Sequence, residues 1–187
     1  MDRILQPRGP VIVTERLVLR HYRPGDFEPL SRMAAAPEMF RYSERGAMTP
    51  EEAWGRLLRQ VGHWQLLGFG VFAVEERASG RYVGETGFGD FRRSLGPHFD
   101  RFPEGTWSIV PDAQGQGYAS EAASAALAWL ARERPGTETV CLIHVDNEPS
   151  LRVAEKLGYR AVGELDYRGY PARTFRRSAD QRPEPAS

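Results

Sequence analysis

The sequence predicts one α/β (α+β) domain, a central sheet with helices on both of its faces. Three observations lead there. Strand-like and helix-like segments alternate through the second half of the chain, at 106–110, 117–133, 140–145, 149–157 and 159–165, as a layered sheet requires. The 187 residues match one compact domain, large enough to bury a core that needs neither disulfides nor structural zinc. No repeat or linker interrupts residues 11–177, so 1–10 reads as a short extension and the polar, proline-bearing 178–187 as a disordered tail.

Taken in order, residues 11–20 (VIVTERLVLR) alternate as a half-buried strand does, and Pro24-Gly25 ends it. Asp26 is placed to cap a helix to about residue 36. Thr49-Pro50-Glu51-Glu52 is a capping box with proline at the first helical position, opening a helix that closes at Gly68. In it Trp54, Leu57, Leu58, Val61 and Trp64 fall at spacings of three and four, which predicts a core-facing stripe. Two strand-like runs, 70–75 and 81–88, flank the turn sequence Arg77-Ala78-Ser79-Gly80. Residues 89–103 lack periodicity and read as a long functional loop. A strand at 106–110 precedes the helix 117–133, whose inner positions are mostly alanine and so permit close approach to a sheet. Strand 140–145, helix 149–157 and strands 159–165 and 172–175 complete the chain.

Composition narrows the function. Twenty-five basic and 25 acidic side chains balance, which gives no electrostatic reason to expect nucleic acid or an anionic membrane as partner. No apolar run approaches the ~18 residues of a membrane span. The start, Met1-Asp2-Arg3, lacks the apolar run of a secretory signal, and a single cysteine suits a reducing compartment, so the cytoplasm is expected. Cys141 lies within Val140-Cys141-Leu142-Ile143 and reads as a small buried hydrophobe, not a nucleophile. No metal is expected.

The informative segment runs from Trp107 to Glu121, a strand, a glycine-bearing turn and a helix start in succession. Amides at a helix N-terminus have no partner within the helix and sit at the positive end of its dipole, so such a turn suits an anion such as a diphosphate. Gly115 and Gly117 would let it approach. The same pattern also describes a plain tight turn. Neither the Gly-Lys-Ser/Thr phosphate loop nor the three-glycine dinucleotide fingerprint is present, since Ser120 stands where the third glycine would be.

Gln114-Gly115-Gln116-Gly117-Tyr118-Ala119 resembles the acetyl-CoA loop Gln/Arg-x-x-Gly-x-Gly/Ala of the GCN5-related N-acetyltransferases. Three further segments resemble the branch that contains the ribosomal-protein N-terminal acetyltransferases. They are Thr14-Glu15-Arg16-Leu17-Val18-Leu19-Arg20, Gly117-Tyr118-Ala119-Ser120-Glu121-Ala122, and Asn147-Glu148-Pro149-Ser150 continued by Lys156-Leu157-Gly158-Tyr159. The resemblance implies a mixed, strongly twisted sheet splayed between its fourth and fifth strands, here 106–110 and 140–145. Acetyl-CoA would be the acyl donor. Backbone groups of Ile109 and Val110 would pair with its pantetheine arm, the turn Gln114, Gly115, Gln116, Gly117, Tyr118, Ala119 and Ser120 would hold its diphosphate, and Asn147 and Ser150 would face it from the other side.

The implied reaction is direct acetyl transfer to a primary amine, on a protein N-terminus or a small molecule, by a monomer or homodimer. An amine attacks only when neutral. At pH 7 that costs roughly 4.6 kcal/mol for a lysine-like amine and about 1.0–1.4 kcal/mol for an α-amine. Alignment to the resembling branch nominates Glu104 as the base, with Glu85, Asp100 and His98 in reserve; an ordinary exposed loop carboxylate is the competing reading of Glu104. Many relatives donate to the leaving thiolate from a tyrosine four residues before the helix-ending glycine. That position is Ala154 here, which leaves Ser150 as the donor, with helix capping as its competing role. The alternatives to acetyl transfer are a non-catalytic module that binds CoA and an enzyme for a longer acyl chain, which would need room beside Ile109 and Phe88. The acceptor itself is not legible, although Phe40, Tyr42, Trp54 and Trp64 could form an aromatic wall for it, and Asp90, Asp100 and Glu104 would suit a cation.

Overall fold

A computed structural model describes residues 9–42 and 46–179. Most of the expected extension (1–10) and tail (178–187) lies outside these residues. The stretch 11–20, expected as one strand, is a hairpin of two, β1 (Ile12–Val13) and β2 (Leu17–Arg20), with Ile12 opposite Leu19. Thr14 is the cause. Its amide donates to the Leu17 carbonyl at 2.9 Å, and its hydroxyl oxygen accepts from the Leu17 amide at 2.9 Å, closing a turn that apolar alternation does not reveal.

Asp26 does not cap α1 (Phe27–Ala35) through its side chain; it is buried against Arg20, each carboxylate oxygen 2.7 Å from the guanidinium. α2 (Pro50–Leu67) has the predicted capping box, with the Thr49 amide donating to Glu52 at 2.8 Å, and closes on Gly68 at φ 69°. Its apolar stripe divides. Leu57 and Trp64 are buried and Val61 is half-buried, but Trp54 and Leu58 are 40 % and 52 % exposed. Only one side of α2 meets the sheet, and Trp54 packs edge-on against Phe27 of α1 instead.

The chain continues through β3 (Val71–Glu76), β4 (Tyr82–Gly89), β5 (Glu104–Ile109), α3 (Tyr118–Glu133), β6 (Thr139–His144), α4 (Glu148–Lys156), β7 (Arg160–Tyr167) and β8 (Tyr170–Arg177). Sheet order is β1-β2-β3-β4-β5-β6-β8-β7, antiparallel throughout except for β5 beside β6. Alternation along β3 sends Phe72 and Val74 into one core with Leu17, Leu19 and α3, and Val71 and Ala73 into a second with α1 and Leu57 of α2. Helices therefore cover both faces. Ala122, Ala123 and Ala126 are all buried on the inner side of α3, so its axis lies close to the sheet.

One joint in this sheet is incomplete. β4 and β5 pair from Gly84 opposite Ile109 to Gly89 opposite Glu104, whereas β5 and β6 pair only at Glu104 opposite Val140, with the Val140 amide donating to Pro103 at 3.1 Å. Beyond that point the two strands part. The sheet is thus mixed and splayed at the joint named from sequence, and β5 begins two residues earlier than expected and ends one earlier.

Candidate active site

Two glycines shape the turn that leads from β5 into α3. Gly115 and Gly117 have φ of 77° and 80°, a left-handed backbone that costs side-chain-bearing residues about 1–2 kcal/mol. Ahead of them, the Gln114 amide donates to Pro111 at 3.3 Å, and α3 makes its first bond from Glu121 to Gly117 at 3.1 Å. Among the described residues, the amides of Gly115, Gln116, Gly117, Tyr118, Ala119 and Ser120 between them donate to no protein oxygen. Six adjacent unsatisfied donors at the positive end of a sixteen-residue helix are a fit for a diphosphate. Side chains contribute less. Tyr118 is buried with its hydroxyl donating to Glu76 at 2.8 Å, so it offers an anion only its amide.

At the open end of the split, the Gln114 side chain donates to the Ile109 carbonyl at 2.9 Å. Val110 is engaged twice, its amide donating to Val83 and its carbonyl accepting from Ala113, each at 3.0 Å. Because the Val110 amide faces β4, alternation turns the amides of Trp107 and Ile109 to the open edge. The pairing expected of Ile109 and Val110 thus has free donors at Trp107 and Ile109. Across the split, Asn147 caps α4 by accepting from the Ser150 amide at 3.2 Å. The half-buried Ser150 hydroxyl has no partner among the described residues.

The strand register places Glu85, Thr106, Ser108 and Glu104 on the face covered by α1 and α2. Glu104 is no exposed loop carboxylate: it starts β5, is 4 % exposed, and meets Arg93 through both oxygens, Nε at 2.5 Å and Nη2 at 2.7 Å. Burial raises its carboxyl above the usual range, and Arg93 works in the opposite direction. Arg93 also donates to the Tyr167 hydroxyl at 3.0 Å. Glu85 is buried, accepts from Tyr22 at 2.5 Å and pairs with Arg56. Asp100 accepts from the amides of Leu95 and Gly96 inside the 89–103 loop, and His98 is exposed. Cys141 is buried on β6, and burial pushes its thiol well up, which makes thiolate scarce.

Several residues here escaped sequence reasoning. His144 on β6 stacks on Tyr170 at 5.8 Å and lies 5.6 Å from the Tyr42 ring; Tyr170 in turn meets Tyr167 edge-on at 5.5 Å. These rings form a wall on the β6 side of the split. Of the aromatic residues named for that role, only Tyr42 joins it, for Trp64 is buried against Phe72 and Trp129. The His144 Nδ1 accepts from the Asp146 amide at 3.0 Å, so the neutral ring carries its proton on Nε2 and is a donor. On α2, Arg56 Nε, Gln60 Oε1 and His63 Nδ1 are buried with no partner among the described residues. Their i, i+4, i+7 spacing was the available signal. A cavity of about 420 Å³ lies between α1, the β3–β4 hairpin and the residues that follow β5, with Met33, Arg81, Tyr82, Val110 and Asp112 in its lining.

Comparison with known proteins agrees with this geometry. The acetyltransferase (GNAT) domain family matches residues 16–160. YnaD of Bacillus subtilis (strain 168), named as an uncharacterized N-acetyltransferase, is 26 % identical over 152 residues, 81 % of this chain and 84 % of that one. A structure from Bordetella pertussis, assigned to the GnaT acetyltransferase family, superposes with a TM-score of 0.81 at 34 % identity, covering 90 % of this chain and 99 % of the other. The ribosomal L7/L12 alpha-N-protein acetyltransferase RimL, solved with coenzyme A, shares the fold at 18 % identity with a TM-score of 0.74, over 91 % and 99 % of the two chains. With a splayed mixed sheet, a glycine turn of free amides and this match across most of its length, the chain belongs to the GNAT family of acetyltransferases.

Proposed function

We propose that this acetyltransferase takes its acyl group from acetyl-CoA and delivers it to an α-amine, on a peptide N-terminus or an amino-acid-derived small molecule. The observation that carries the reading is the run of unsatisfied amides from Gly115 to Ser120 next to the open edge of β5. Acetyl-CoA supplies the activated acyl group as a thioester. The chain holds and orients it: the turn's amides take the diphosphate, Trp107 and Ile109 pair with the pantetheine arm, and Asn147 and Ser150 face it from α4. The Ser150 hydroxyl donates a hydrogen bond toward the sulfur.

The acceptor class follows from the state of the carboxylates. Glu85 and Glu104 are both committed to arginines, and Asp100 to loop amides. A lysine-like amine would need a strong base to repay its deprotonation, roughly 4.6 kcal/mol at pH 7, whereas an α-amine needs only about 1.0–1.4 kcal/mol. In this reading Glu104 anchors Arg93, and through it Tyr167 beside the acceptor; the ammonium's first proton leaves to solvent before attack, and the second, released as the amide forms, neutralises the departing thiolate. RimL by its name acetylates a protein α-amine, and the same chemistry is assigned here.

Free-thiol release from acetyl-CoA tests the proposal at pH 7, with short peptides bearing a free N-terminus against peptides blocked there and carrying one lysine. Turnover of the first set exceeding the second at least tenfold is expected. Preference for the blocked lysine peptides, or thiol release with neither set, overturns it.

A further inference from the structure

The Thr14-Glu15-Arg16 segment does more than close the β1–β2 turn, because it also bonds to the start of α3. We infer that Thr14 and Arg16 are positioning residues for the diphosphate turn, holding Glu121 and the Gln116–Gly117 peptide so that the turn's amides stay free and face outward. This rests on the reading of that turn as the diphosphate site.

The β1–β2 hairpin closed by Thr14 carries both residues to the start of α3, more than 100 positions away in sequence. There the Arg16 guanidinium reaches Glu121 Oε2 with Nε and Nη2, each at 2.7 Å, and the Gln116 carbonyl with Nη1 at 2.8 Å. The other oxygen, Glu121 Oε1, accepts from the Thr14 hydroxyl at 2.6 Å and from the Arg16 amide at 3.0 Å. The guanidinium also lies over the Tyr118 ring, 4.8 Å from its centroid. One side chain thus grips a carbonyl before the helix, a ring at its first residue and a carboxylate in its first turn.

Two consequences bear on an anion. In a trans peptide the carbonyl and the following N–H point to opposite sides, so drawing the Gln116 carbonyl onto Arg16 turns the Gly117 amide away from it. Left free, the Gln116–Gly117 peptide, with the positive-φ Gly117 on one side and Gly115 one residue before it, has little to stop it rotating. The second consequence is charge. Glu121 stands in the first turn of α3, where a bare carboxylate would repel a diphosphate on the same amides; Arg16 cancels it. Burial works to raise the Glu121 carboxyl, but the Thr14 and Arg16 bonds keep it below the usual range, so the pair stays ionised through neutral pH.

A merely structural tie between hairpin and helix would weaken every ligand alike. A diphosphate positioner weakens only ligands that contain the diphosphate. Amide spectra of the wild type and Arg16→Ala, titrated with CoA and with pantetheine, separate the two, since shift titrations read millimolar as well as micromolar binding. Loss of charge-assisted bonds behind the turn is expected to weaken CoA about tenfold in R16A, with pantetheine within twofold of wild type. R16A/E121Q, which removes the uncancelled carboxylate, recovers part of the loss. Should R16A fail to fold, Arg16→Lys carries the same comparison, because an ammonium keeps the charge but cannot span both acceptors; a three- to fivefold loss for CoA alone is expected. CoA affinity within twofold of wild type, or equal weakening of CoA and pantetheine, overturns the inference. A wild type that binds no CoA overturns the reading of the turn itself.

Discussion

Gly117 is where one atom decides the most. A methyl group there meets only the Arg16 guanidinium, at 3.5 Å, so the objection to a side chain is the φ of 80° and not space. Gly117→Ala is expected to lose about 1 kcal/mol of stability and to weaken CoA binding several-fold, both measurable on one sample by thermal unfolding and titration. Cys141 is the converse. Because its thiol is buried and its ionisation suppressed, Cys141→Ala should leave acetyl transfer within twofold while lowering stability by about 1 kcal/mol; activity abolished in a folded C141A would contradict direct transfer. Glu121 gives a pH signature. Its carboxyl is depressed in the folded state, so its ion pair contributes stability that is complete above the ordinary carboxylate value of 4.5 and is lost as pH falls through the lower folded value. Glu121→Gln should therefore flatten part of the acid limb of a stability-against-pH curve.

Among the elements, α3 is the one whose composition has a mechanical purpose. Ala122, Ala123 and Ala126 bring it close enough to the sheet for its N-terminus to stand beside the end of β5. Ala126→Leu, which adds three carbons to a filled interface, is expected to cost about 1–3 kcal/mol and to move the turn, so CoA affinity should fall with stability in a paired measurement. This element was legible in the sequence because periodicity, alanine content and the glycine turn all agree. β1–β2 was not. The alternating run 11–20 fits one strand as well as a hairpin, and the deciding bonds are those of Thr14 to Leu17, which no hydrophobic period reports. α2 shows the same limit in another form: spacing identified an apolar stripe, but which half of it meets the sheet depends on where α1 lies, and Trp54 and Leu58 stayed outside.

At the scale of the molecule, the motifs found in sequence converge at one end of the split in the sheet, while the side proposed for the acceptor is assembled from residues with no motif at all. Glu104 illustrates why. From sequence it is a carboxylate between proline and glycine; only the folded loop 89–103 brings Arg93 onto both of its oxygens. Tyr42, His144 and Tyr170 come from three distant segments, so their ring contacts have no linear signature. With the nearby carboxylates engaged, the rate should follow ionisation of the acceptor. For an α-amine peptide, kcat/KM is expected to rise about tenfold per pH unit below roughly 7.7–8.0 and level above it, in a profile that shifts when the peptide's amine pKa is changed. The most direct test of the whole account is an amide-resolved titration of the protein with CoA. Saturation at one CoA per chain, with the largest shifts at Gly115 to Ser120 and further shifts at Trp107 and Ile109, is the predicted result. Binding that leaves those amides unmoved, or no binding at millimolar CoA, would contradict it.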